Sequence, residues 1–573
     1  MSGNILSQLN PQQKIAVKHR EGPLLILAGA GSGKTRVLTY RIAYLIKNYQ
    51  VAPENILAVT FTNKAADEMK SRVKSLVNRR KDNLWVSTFH SFCARVLRKE
   101  IIKLGYDRNF VIYDTSEQKS LIKNIIKEDL DMDTKDAKPG AILGTISQVK
   151  NELISPEEFE KKVNDFFKKL VSSIYPLYQQ KLKANNALDF GDLIIKTVEL
   201  FEENPLVLEY YQDRFKYLLI DEYQDVNFAQ YRLSQLLAAK NRNICVVGDP
   251  DQSIYGFRGA DIRNILNFEE DYQDAKVVKL EQNYRSKETI LEAAHNVIEN
   301  NQSRKEKRLW TDRGEGEEIE LYSAGSGKDE ANYICKEIKD LNNDKYDYSD
   351  IGIMYRTNSQ SRVLEEALMK YNIPYQLIAG TRFYDRMEIM DIIAYLRVIY
   401  NRDDDLSLMR IINKPKRGIG AGTLKKLQNY ADKNNLSLYQ AGIEAGHNSE
   451  LTGVYEKRVI NFFSLIKELK EEQNRVSLNR LMDMLLSKTG YRQNLREKNS
   501  KQAEARLENI NELYSVIEDY TRHSEEPTLS GFLEKVALLA DVDDLQKEKE
   551  TVTLLTLHSA KGLEFPVVFI TGM

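Results

Sequence analysis

Residues 28–35, Ala-Gly-Ala-Gly-Ser-Gly-Lys-Thr, constrain the fold of this 573-residue chain more than any other segment. They lie between an apolar run, Leu24–Ala28, and a stretch with helical periodicity at residues 35–46. Glycines in such a loop let backbone N–H groups curl around phosphate groups, and the N-terminus of the following helix adds partial positive charge. A strand, a glycine-rich loop and a helix in this order predict a phosphate-binding loop in a parallel α/β fold.

Two residues of this loop have specific candidate roles. Lys34 is expected to reach the β- and γ-phosphates of ATP, and the Thr35 hydroxyl is expected to bind Mg²⁺. The usual pattern begins with glycine, whereas this chain has Ala28 at that position. The residues expected to surround the nucleotide here are Ala28, Gly29, Ala30, Gly31, Ser32, Gly33, Lys34, Thr35 and Arg36.

An acidic pair, Asp221 and Glu222, follows a second apolar run, Tyr217–Ile220. We expect Asp221 to hold Mg²⁺ and Glu222 to orient and deprotonate the attacking water. Taken alone, the pair also fits a solvated strand end, and the phosphate-binding loop is what favours the catalytic interpretation. A second Gly-Ser-Gly-Lys sequence, at residues 325–328, is followed by Asp329 and is predicted to be a turn before a helix.

Apolar runs alternate with helical periods, which is typical of parallel α/β layers. The predicted strands are Leu24–Ala28, 56–61, Tyr217–Ile220, 244–247, Lys276–Leu280, Ile351–Tyr355, 375–379, 551–557 and 567–571. Strand character vanishes between about residues 106 and 188 and between 381 and 549, and a second α/β block is expected to begin near Ile319. We predict two parallel-sheet cores, each interrupted by a mostly helical insertion. The predicted divisions are 1–105 with 189–281, 106–188, 282–380 with 550–573, and 381–549.

Composition adds little to this organisation. Lys plus Arg total 83 against 84 Asp plus Glu, so the net charge does not indicate a nucleic-acid partner. The 3 cysteines are far apart and His19, His295, His447 and His523 lack ligand spacing, so neither disulfides nor zinc are expected. The acidic run at residues 403–405 is interpreted as a helix-capping turn. With no signal peptide and no apolar run near 18 residues in length, we expect a cytoplasmic protein with no membrane segment.

The segments around these motifs resemble superfamily 1 helicases of the UvrD/PcrA/Rep type, nearly from end to end. The matching segments, in order, are LNPQQ (9–13), AGAGSGKT (28–35), TFTNKAADEM (60–69), STFHSF (87–92), DEYQDVN (221–227), VVGDPDQSIYGFRGA (246–260), QNYRS (282–286), YRTNSQSR (355–362) and TLHSAKGLEFP (556–566). The resemblance implies that both cores are RecA-like, as in other P-loop NTPases.

The resemblance also implies roles for residues outside the phosphate-binding loop. Gln13 would read adenine, Tyr284 would stack on the base and Arg285 would contact the γ-phosphate. Gln252 would couple the γ-phosphate to the DNA track, and Glu564 would lie near the nucleotide from the second core. The implied catalytic set is Lys34, Asp221, Glu222, Gln252 and Arg285.

Aromatic side chains at loop positions predict a track for single-stranded nucleic acid, since bases stack on exposed rings. Phe61, Tyr255, Phe257 and Arg258 supply this chemistry, although Phe61 and Tyr255 could instead pack in the core. The family often has tryptophan where this chain has Phe257. The resemblance implies further DNA contacts at Asn63, Thr88, His90, Asn358 and His558. It also implies a duplex contact at Lys416 and Arg417, which could instead be solvated charges beside a turn.

The function implied is that of an ATP- and Mg²⁺-dependent 3′→5′ DNA helicase or single-strand translocase in repair or replication. Its partners would be single-stranded DNA, single/double-strand junctions, and repair or replication proteins; the residues themselves do not exclude RNA. Family members continue beyond residues 556–566 with a motif that carries a γ-phosphate-contacting arginine. We therefore expect this chain to be truncated and to hydrolyse ATP poorly. The alternative expectation is an ATP-gated DNA-binding fragment without motor activity.

Overall fold

The structure is a computed structural model. It describes residues 5–77, 83–135, 137–301, 304–378, 383–434, 436–447, 451–498, 500–524, 527–538 and 550–573. The strands are β1 (Leu24–Ala28), β2 (Ile56–Thr60), β3 (Trp85–Thr88), β4 (Val111–Ile112), β5 (Ala187–Leu188), β6 (Tyr217–Ile220), β7 (Ile244–Gly248), β8 (Lys276–Leu280), β9 (Ile351–Tyr355), β10 (Tyr375–Leu377), β11 (Val552–Thr556) and β12 (Val567–Ile570).

Helices make up most of the remaining regular structure. The helices before β8 are α1 (Pro11–Lys18), α2 (Lys34–Asn48), α3 (Asn63–Val77), α4 (Phe89–Glu100), α5 (Thr115–Asn124), α6 (Pro139–Asn151), α7 (Pro156–Lys161), α8 (Phe166–Ala184), α9 (Phe190–Glu203), α10 (Pro205–Arg214), α11 (Phe228–Ala238), α12 (Arg263–Leu266) and α13 (Phe268–Asp271). After β8 come α14 (Glu288–Ile298), α15 (Gly327–Asp344), α16 (Ser361–Lys370), α17 (Met387–Tyr400), α18 (Asp405–Ile411), α19 (Ala421–Asn434), α20 (Leu438–Ile443), α21 (Val454–Glu472), α22 (Leu478–Lys488), α23 (Tyr491–Glu497), α24 (Lys501–His523) and α25 (Leu529–Ala537).

The first sheet has six parallel strands in the order β3-β2-β6-β7-β1-β8. Its central strands are apolar along their whole length, and every residue of β1 and β2 is buried. The strands of a parallel sheet have almost continuously apolar sequences because helices cover both faces of the sheet. Complete burial of a Leu or Ile side chain contributes roughly 1.5–3 kcal/mol, so the strands and the helices that cover them stabilise one another.

The second sheet has four parallel strands in the order β10-β11-β9-β12. Its β11 strand lies between β10 and β9, with Leu554 paired to Ile353, although almost the whole second helical segment separates β10 from β11 in the chain. That segment, α17–α25, has its own core around α17, in which Ile392, Tyr395 and Leu396 are fully buried. Both α/β cores and their mostly helical interruptions were predicted, and the fold class is confirmed. The divisions by residue number stay a prediction.

Two expectations about strands were wrong. β3 was not predicted, and β4 and β5 form a two-stranded parallel sheet inside the segment in which strands were expected to vanish. β4 and β5 have two residues each, which is too short for a detectable period. The Ile319 side chain is exposed, and the next helix after it is α15. The start of the second block near Ile319 stays a prediction.

Two smaller predictions are confirmed. Ser326, in the second Gly-Ser-Gly-Lys sequence, caps the N-terminus of α15 by accepting a hydrogen bond from the Asp329 N–H. Asp404, in the acidic run, caps α18 through the Ser407 N–H and also accepts a hydrogen bond from the Tyr113 hydroxyl, at 2.6 Å. No helix within the described residues is long and apolar enough to span a bilayer.

Candidate nucleotide site and strand-binding loop

The loop between β1 and α2 is held in a conformation that only glycine adopts without strain. Gly31 and Gly33 have φ values of 65° and 86°, in the left-handed region. Asn283 donates a hydrogen bond to the Ala30 carbonyl at 2.7 Å, and a Cβ on Gly31 would lie 2.6 Å from its side-chain nitrogen. Sequence reasoning missed this contact by Asn283, although the residue lies in the QNYRS segment quoted above.

Polar side chains from three neighbouring strands meet beside this loop. Lys34, after β1, lies 3.0 Å from Glu222 Oε1 and donates a hydrogen bond to Gln252 Oε1 at 3.1 Å. The Thr35 hydroxyl donates to Asp221 Oδ2 at 3.4 Å. Because β6, β7 and β1 are adjacent and parallel, their carboxyl ends bring these residues together at one edge of the sheet.

The charges in this cluster are interdependent. Burial, and then the Glu222 carboxylate, raise the pKa of Asp221 to about 7. Burial alone would also raise the pKa of Glu222, but Lys34 and Lys561 outweigh it and lower that pKa. Burial opposes the charge on Lys34, yet the carboxylates around it raise its pKa. Lys34 and Glu222 therefore form an ion pair, while Asp221 is the carboxylate that lacks charge compensation.

The Asp221–Thr35 pair fits Mg²⁺. This ion accepts one or two protein oxygens and completes its octahedral shell with waters and phosphate oxygens. A bound cation would supply the compensation that the buried Asp221 carboxylate lacks. The described residues contain no group of three or more His, Cys, Asp or Glu side chains that could hold a metal ion.

Side chains from the second half of the chain reach this site. Lys561, after β11, donates to the backbone carbonyl of Gln252 at 2.7 Å and to the buried Asp225 carboxylate. Arg285 and Glu564 pair with each other at 2.6 Å. Lys561 was not among the predicted site residues, although it lies in the quoted segment 556–566.

The side chains expected around the adenine make contacts within the protein. Gln13 is buried; its amide donates to the Ser32 carbonyl at 3.0 Å and accepts from the Asn10 N–H at 3.1 Å. The exposed Tyr284 ring accepts a hydrogen bond from Asn10 through its hydroxyl. The Tyr284 N–H donates to the Gly31 carbonyl at 2.9 Å, so Tyr284 and the next residue, Arg285, lie beside the loop.

The aromatic residues predicted to bind a strand form one connected group. Phe61 and Tyr255 stack in parallel, with centroids 5.2 Å apart, and Phe61 is 45% exposed while Tyr255 is buried beneath it. Phe257 is 69% exposed and meets the His558 ring edge-on at 5.3 Å. The Arg258 guanidinium lies 5.2 Å from the Tyr255 ring centroid. Exposed rings in such a cluster are typical of a binding surface.

Other side chains that were predicted to contact a nucleic-acid strand form hydrogen bonds or are buried within the protein. Thr88 is buried and caps α4 by accepting from the Ser91 N–H. Asn63 donates to the Leu538 carbonyl at 2.9 Å. Burial lowers the pKa of His90 to about 4, so its imidazole is neutral at physiological pH. These three side chains can present dipoles to a nucleic-acid strand, but they carry no positive charge.

On the second sheet, Asn358 and His558 follow the neighbouring strands β9 and β11. Asn358 is exposed in a short turn. His558 lies with Nδ1 3.0 Å from Arg356 Nη1, and burial followed by Arg356 and Arg258 lowers its pKa. The His558 imidazole therefore lies beside positive charge contributed by arginine.

Two arginines predicted to contact ligands form hydrogen bonds within the protein. The Arg417 guanidinium points inward, donating to the Tyr395 hydroxyl at 2.7 Å and to backbone carbonyls of its own loop, so of this pair only Lys416 is exposed. Arg36 donates to the Gln8 carbonyl at 3.0 Å, so it is tied to the N-terminal segment. Neither internal bond could be predicted from the sequence, because both partners depend on packing.

A phosphate-binding loop on one parallel sheet, approached by charged side chains from a second, defines a P-loop protein with two α/β cores. The family comparison narrows this class. Residues 9–273 match the UvrD/REP helicase N-terminal domain, and residues 278–573 match the UvrD-like helicase C-terminal domain. The chain therefore belongs to the UvrD-like helicase family and is an enzyme of that class.

Individual relatives agree with this assignment. The chain is 51% identical to the ATP-dependent DNA helicase PcrA of Staphylococcus aureus over 574 aligned positions, covering 99% of this chain and 78% of the relative. The PcrA protein of Staphylococcus epidermidis matches with the same identity and coverage. These comparisons do not support the expected truncation.

Proposed function

We propose that this chain is an ATP- and Mg²⁺-dependent DNA helicase that translocates 3′→5′ along a single strand. The matched relatives are named as ATP-dependent DNA helicases, and the direction, like a role in repair or replication, rests on the family resemblance. A cytoplasmic location is proposed from the sequence features given above. The proposed cores are residues 1–105 with 189–281 and residues 282–380 with 550–573. The proposed insertions are residues 106–188 and 381–549.

The chemistry begins with an exchange of partners at Lys34. ATP phosphates would replace Glu222 and Gln252 on its ammonium group, because a triphosphate carries more negative charge than one carboxylate. Glu222 is then free to accept a proton from the attacking water. Asp221 and Thr35 would hold Mg²⁺, which neutralises charge on the phosphate oxygens.

The observation that carries the proposal is the pair of contacts made by the loop at residues 252–258. Gln252, at one end, bonds to Lys34 beside the nucleotide, while Tyr255 and Phe257, at the other, belong to the aromatic group. The same loop contacts the second half of the chain, since Lys561 donates to Gln252 and the Tyr255 hydroxyl donates to the His558 carbonyl at 3.2 Å. A movement of Gln252 on binding the γ-phosphate would therefore be transmitted along a few residues of the backbone to the aromatic side chains that would contact the nucleic acid.

ATP would favour a closed cleft because only there do both cores contact it, and hydrolysis removes that difference. The first core supplies Lys34 and Glu222, and Arg285 lies beside the phosphate-binding loop, where Glu564, which follows β11 of the second sheet, neutralises it without ATP. Alternating closure on a strand held by both cores moves the protein along it. Single-stranded DNA and single/double-strand junctions are the proposed ligands, with repair or replication proteins as further partners.

Strand displacement tests the proposal. We expect the chain to separate a duplex with a 3′ single-stranded tail, but not one with a 5′ tail, in the presence of ATP and Mg²⁺. Lys34→Ala should lower DNA-stimulated ATP turnover by about 100-fold or more, the scale of losing one preorganised charge at a transition state. Lys47→Ala, at the other end of α2, is the matched control and should retain full turnover.

Three outcomes count against the proposal. Displacement of 5′-tailed duplexes contradicts the direction. Unaffected turnover in Lys34→Ala contradicts the assignment of the site. ATP-dependent DNA binding without displacement favours a nucleotide-gated DNA-binding protein instead.

A further inference from the structure

Lys307 is a buried charge for which the site as described has no use. Its side chain is 3% exposed and lies against the loop that follows β7 in the first sheet. The ammonium group contacts Asp249 Oδ1 at 2.5 Å and Asp251 Oδ2 at 2.6 Å. Arg304 adds a second cation, 3.0 Å from the same Asp251 oxygen. A lysine is rarely buried this deeply unless a specific pairing holds it.

The pairing leads directly to Gln252. The other carboxylate oxygen of Asp249, Oδ2, accepts a hydrogen bond from Gln252 Nε2 at 2.9 Å. With its nitrogen turned to Asp249, the Gln252 amide presents its oxygen to Lys34. An amide can present either its oxygen or its nitrogen to a given partner, and here the position of the Asp249 carboxylate, which accepts from the nitrogen, favours the oxygen toward Lys34.

Lys307 holds the Asp249 carboxylate in this position. Asp249 and Asp251 are both largely buried, and without the Lys307 ammonium group between them the two neighbouring carboxylates would repel each other. The Asp249 carboxylate would then rotate away. The acceptor that orients the Gln252 amide is weakened as a result.

The segment that carries Lys307 is also bonded to the chain that follows β8. The Asn283 N–H donates to the Trp310 carbonyl at 2.7 Å, and the Trp310 N–H donates to the Glu281 carbonyl at 3.0 Å. Residues 307–310 therefore run beside the strand exit that supplies Tyr284 and Arg285. A shift of those two residues on binding ATP has a direct path to Lys307.

We propose that Lys307 is a positioning residue that, through Asp249, fixes the Gln252 amide and so couples DNA binding to ATP turnover. This inference rests on the proposed function. It concerns a residue that contacts neither the nucleotide site nor the aromatic group.

The test compares Lys307→Met with Lys305→Met. Lys305 is the matched control because it pairs with Glu269 at the surface. In Lys307→Met we expect DNA-stimulated kcat to fall by roughly 10- to 100-fold, the scale at which losing an outer partner of a ligand acts. The affinity for a fluorescent ATP analogue without DNA should change by less than about threefold, because the phosphate-binding loop is untouched.

A double-mutant cycle separates positioning from stability. In a Gln252→Ala background, Lys307→Met should cause no further loss of turnover, because the amide that it orients is gone. An equal additional loss in that background, or unchanged coupling in Lys307→Met, overturns the inference. If the wild-type chain itself lacks DNA-stimulated turnover, the proposed function is wrong, and the inference that rests on it is wrong as well.

Thermal unfolding is measured for each variant. Lys307→Gln is the second variant, since its amide can still donate to one buried carboxylate while carrying no charge. We expect it to fold and to show the same loss of coupling. Normal coupling in Lys307→Gln, or failure of both variants to fold, assigns Lys307 a purely structural role and overturns the inference.

Discussion

The positive charge of Lys34 is stabilised by carboxylates and not by solvent. Burial disfavours the charge, but Glu222, Asp249 and Asp221 together raise its pKa. A nucleotide-free site in which this lysine already has partners is preorganised, because the lysine need not be ordered when ATP arrives. The consequence is that Glu222 becomes available as a base only after phosphate has replaced it.

The titration of Asp221 leads to a prediction at the same scale. Its pKa of about 7 means that a proton competes with Mg²⁺ for the carboxylate below neutral pH. We expect apparent Mg²⁺ affinity, measured with a fluorescent ATP analogue, to be nearly constant above pH 8. Below pH 7 it should weaken by up to about tenfold per pH unit, the slope for one competing proton.

Asp221→Asn, which cannot titrate, should bind Mg²⁺ weakly and without this pH dependence. A wild-type affinity that stays flat from pH 6 to 8 contradicts the assignment of Asp221 as the metal-binding carboxylate.

Individual residues were predictable where a motif defines its own chemistry. Lys34, Thr35, Asp221 and Glu222 meet because two strands, β1 and β6, end at one edge of the sheet, which apolar runs alone indicate. The inward turn of Arg417 was not predictable. Its partners include Tyr395, 22 positions earlier in the chain, and only packing brings the two together.

At the scale of elements, the loop at residues 252–259 depends on how the first helical segment packs against it. Asn151, at the end of α6, donates to the Arg258 carbonyl at 3.2 Å and accepts from Asn227, the cap of α11, at 2.8 Å. Gly259 has φ 91°, and a Cβ there would lie 2.5 Å from the Asn151 amide nitrogen. A helix of one segment therefore holds the end of the loop that presents Phe257.

Gly259→Ala should damage this contact. The left-handed conformation costs an alanine roughly 1–2 kcal/mol, and the close contact adds to that cost. We expect the free energy of unfolding in urea to fall by at least about 1 kcal/mol and the affinity for oligo-dT to weaken. Gly256→Ala is the matched control, because no atom lies within 4 Å of a Cβ there. Equal stability of the two variants contradicts this account of the loop.

Strands were predictable where the sequence has a distinct apolar run. The strands β1, β6 and β9 begin and end where such runs do, and β8 has its predicted bounds although it contains Lys276 and Lys279. β3 contains Ser87 and Thr88 beside Trp85, so its sequence lacks an apolar run, and its place at the edge of the sheet is set by pairing with β2. Such edge strands are specified by their neighbours and not by their own periodicity.

At the scale of the whole molecule, polar contacts beside the nucleotide site join the two halves of the chain, in addition to contacts of the second helical segment such as Asp404 with Tyr113. Lys561 reaches Gln252 and Asp225, the Tyr255 hydroxyl reaches the His558 carbonyl, and Arg285 faces Glu564. Sequence patterns predicted two cores but not these contacts. A single sequence does not indicate which residues, hundreds of positions apart, will be neighbours in the fold. Polar contacts of this kind exchange partners readily, which suits a cleft that opens and closes.

The most direct test of the central claim is the structure of this chain bound to Mg²⁺, a non-hydrolysable ATP analogue and oligo-dT. We predict that Lys34 and Arg285 both lie within about 3 Å of γ-phosphate oxygens, with Arg285 released from Glu564 and Phe257 stacked on a base. A complex in which Arg285 stays paired with Glu564, while the triphosphate contacts the first core alone, contradicts the account.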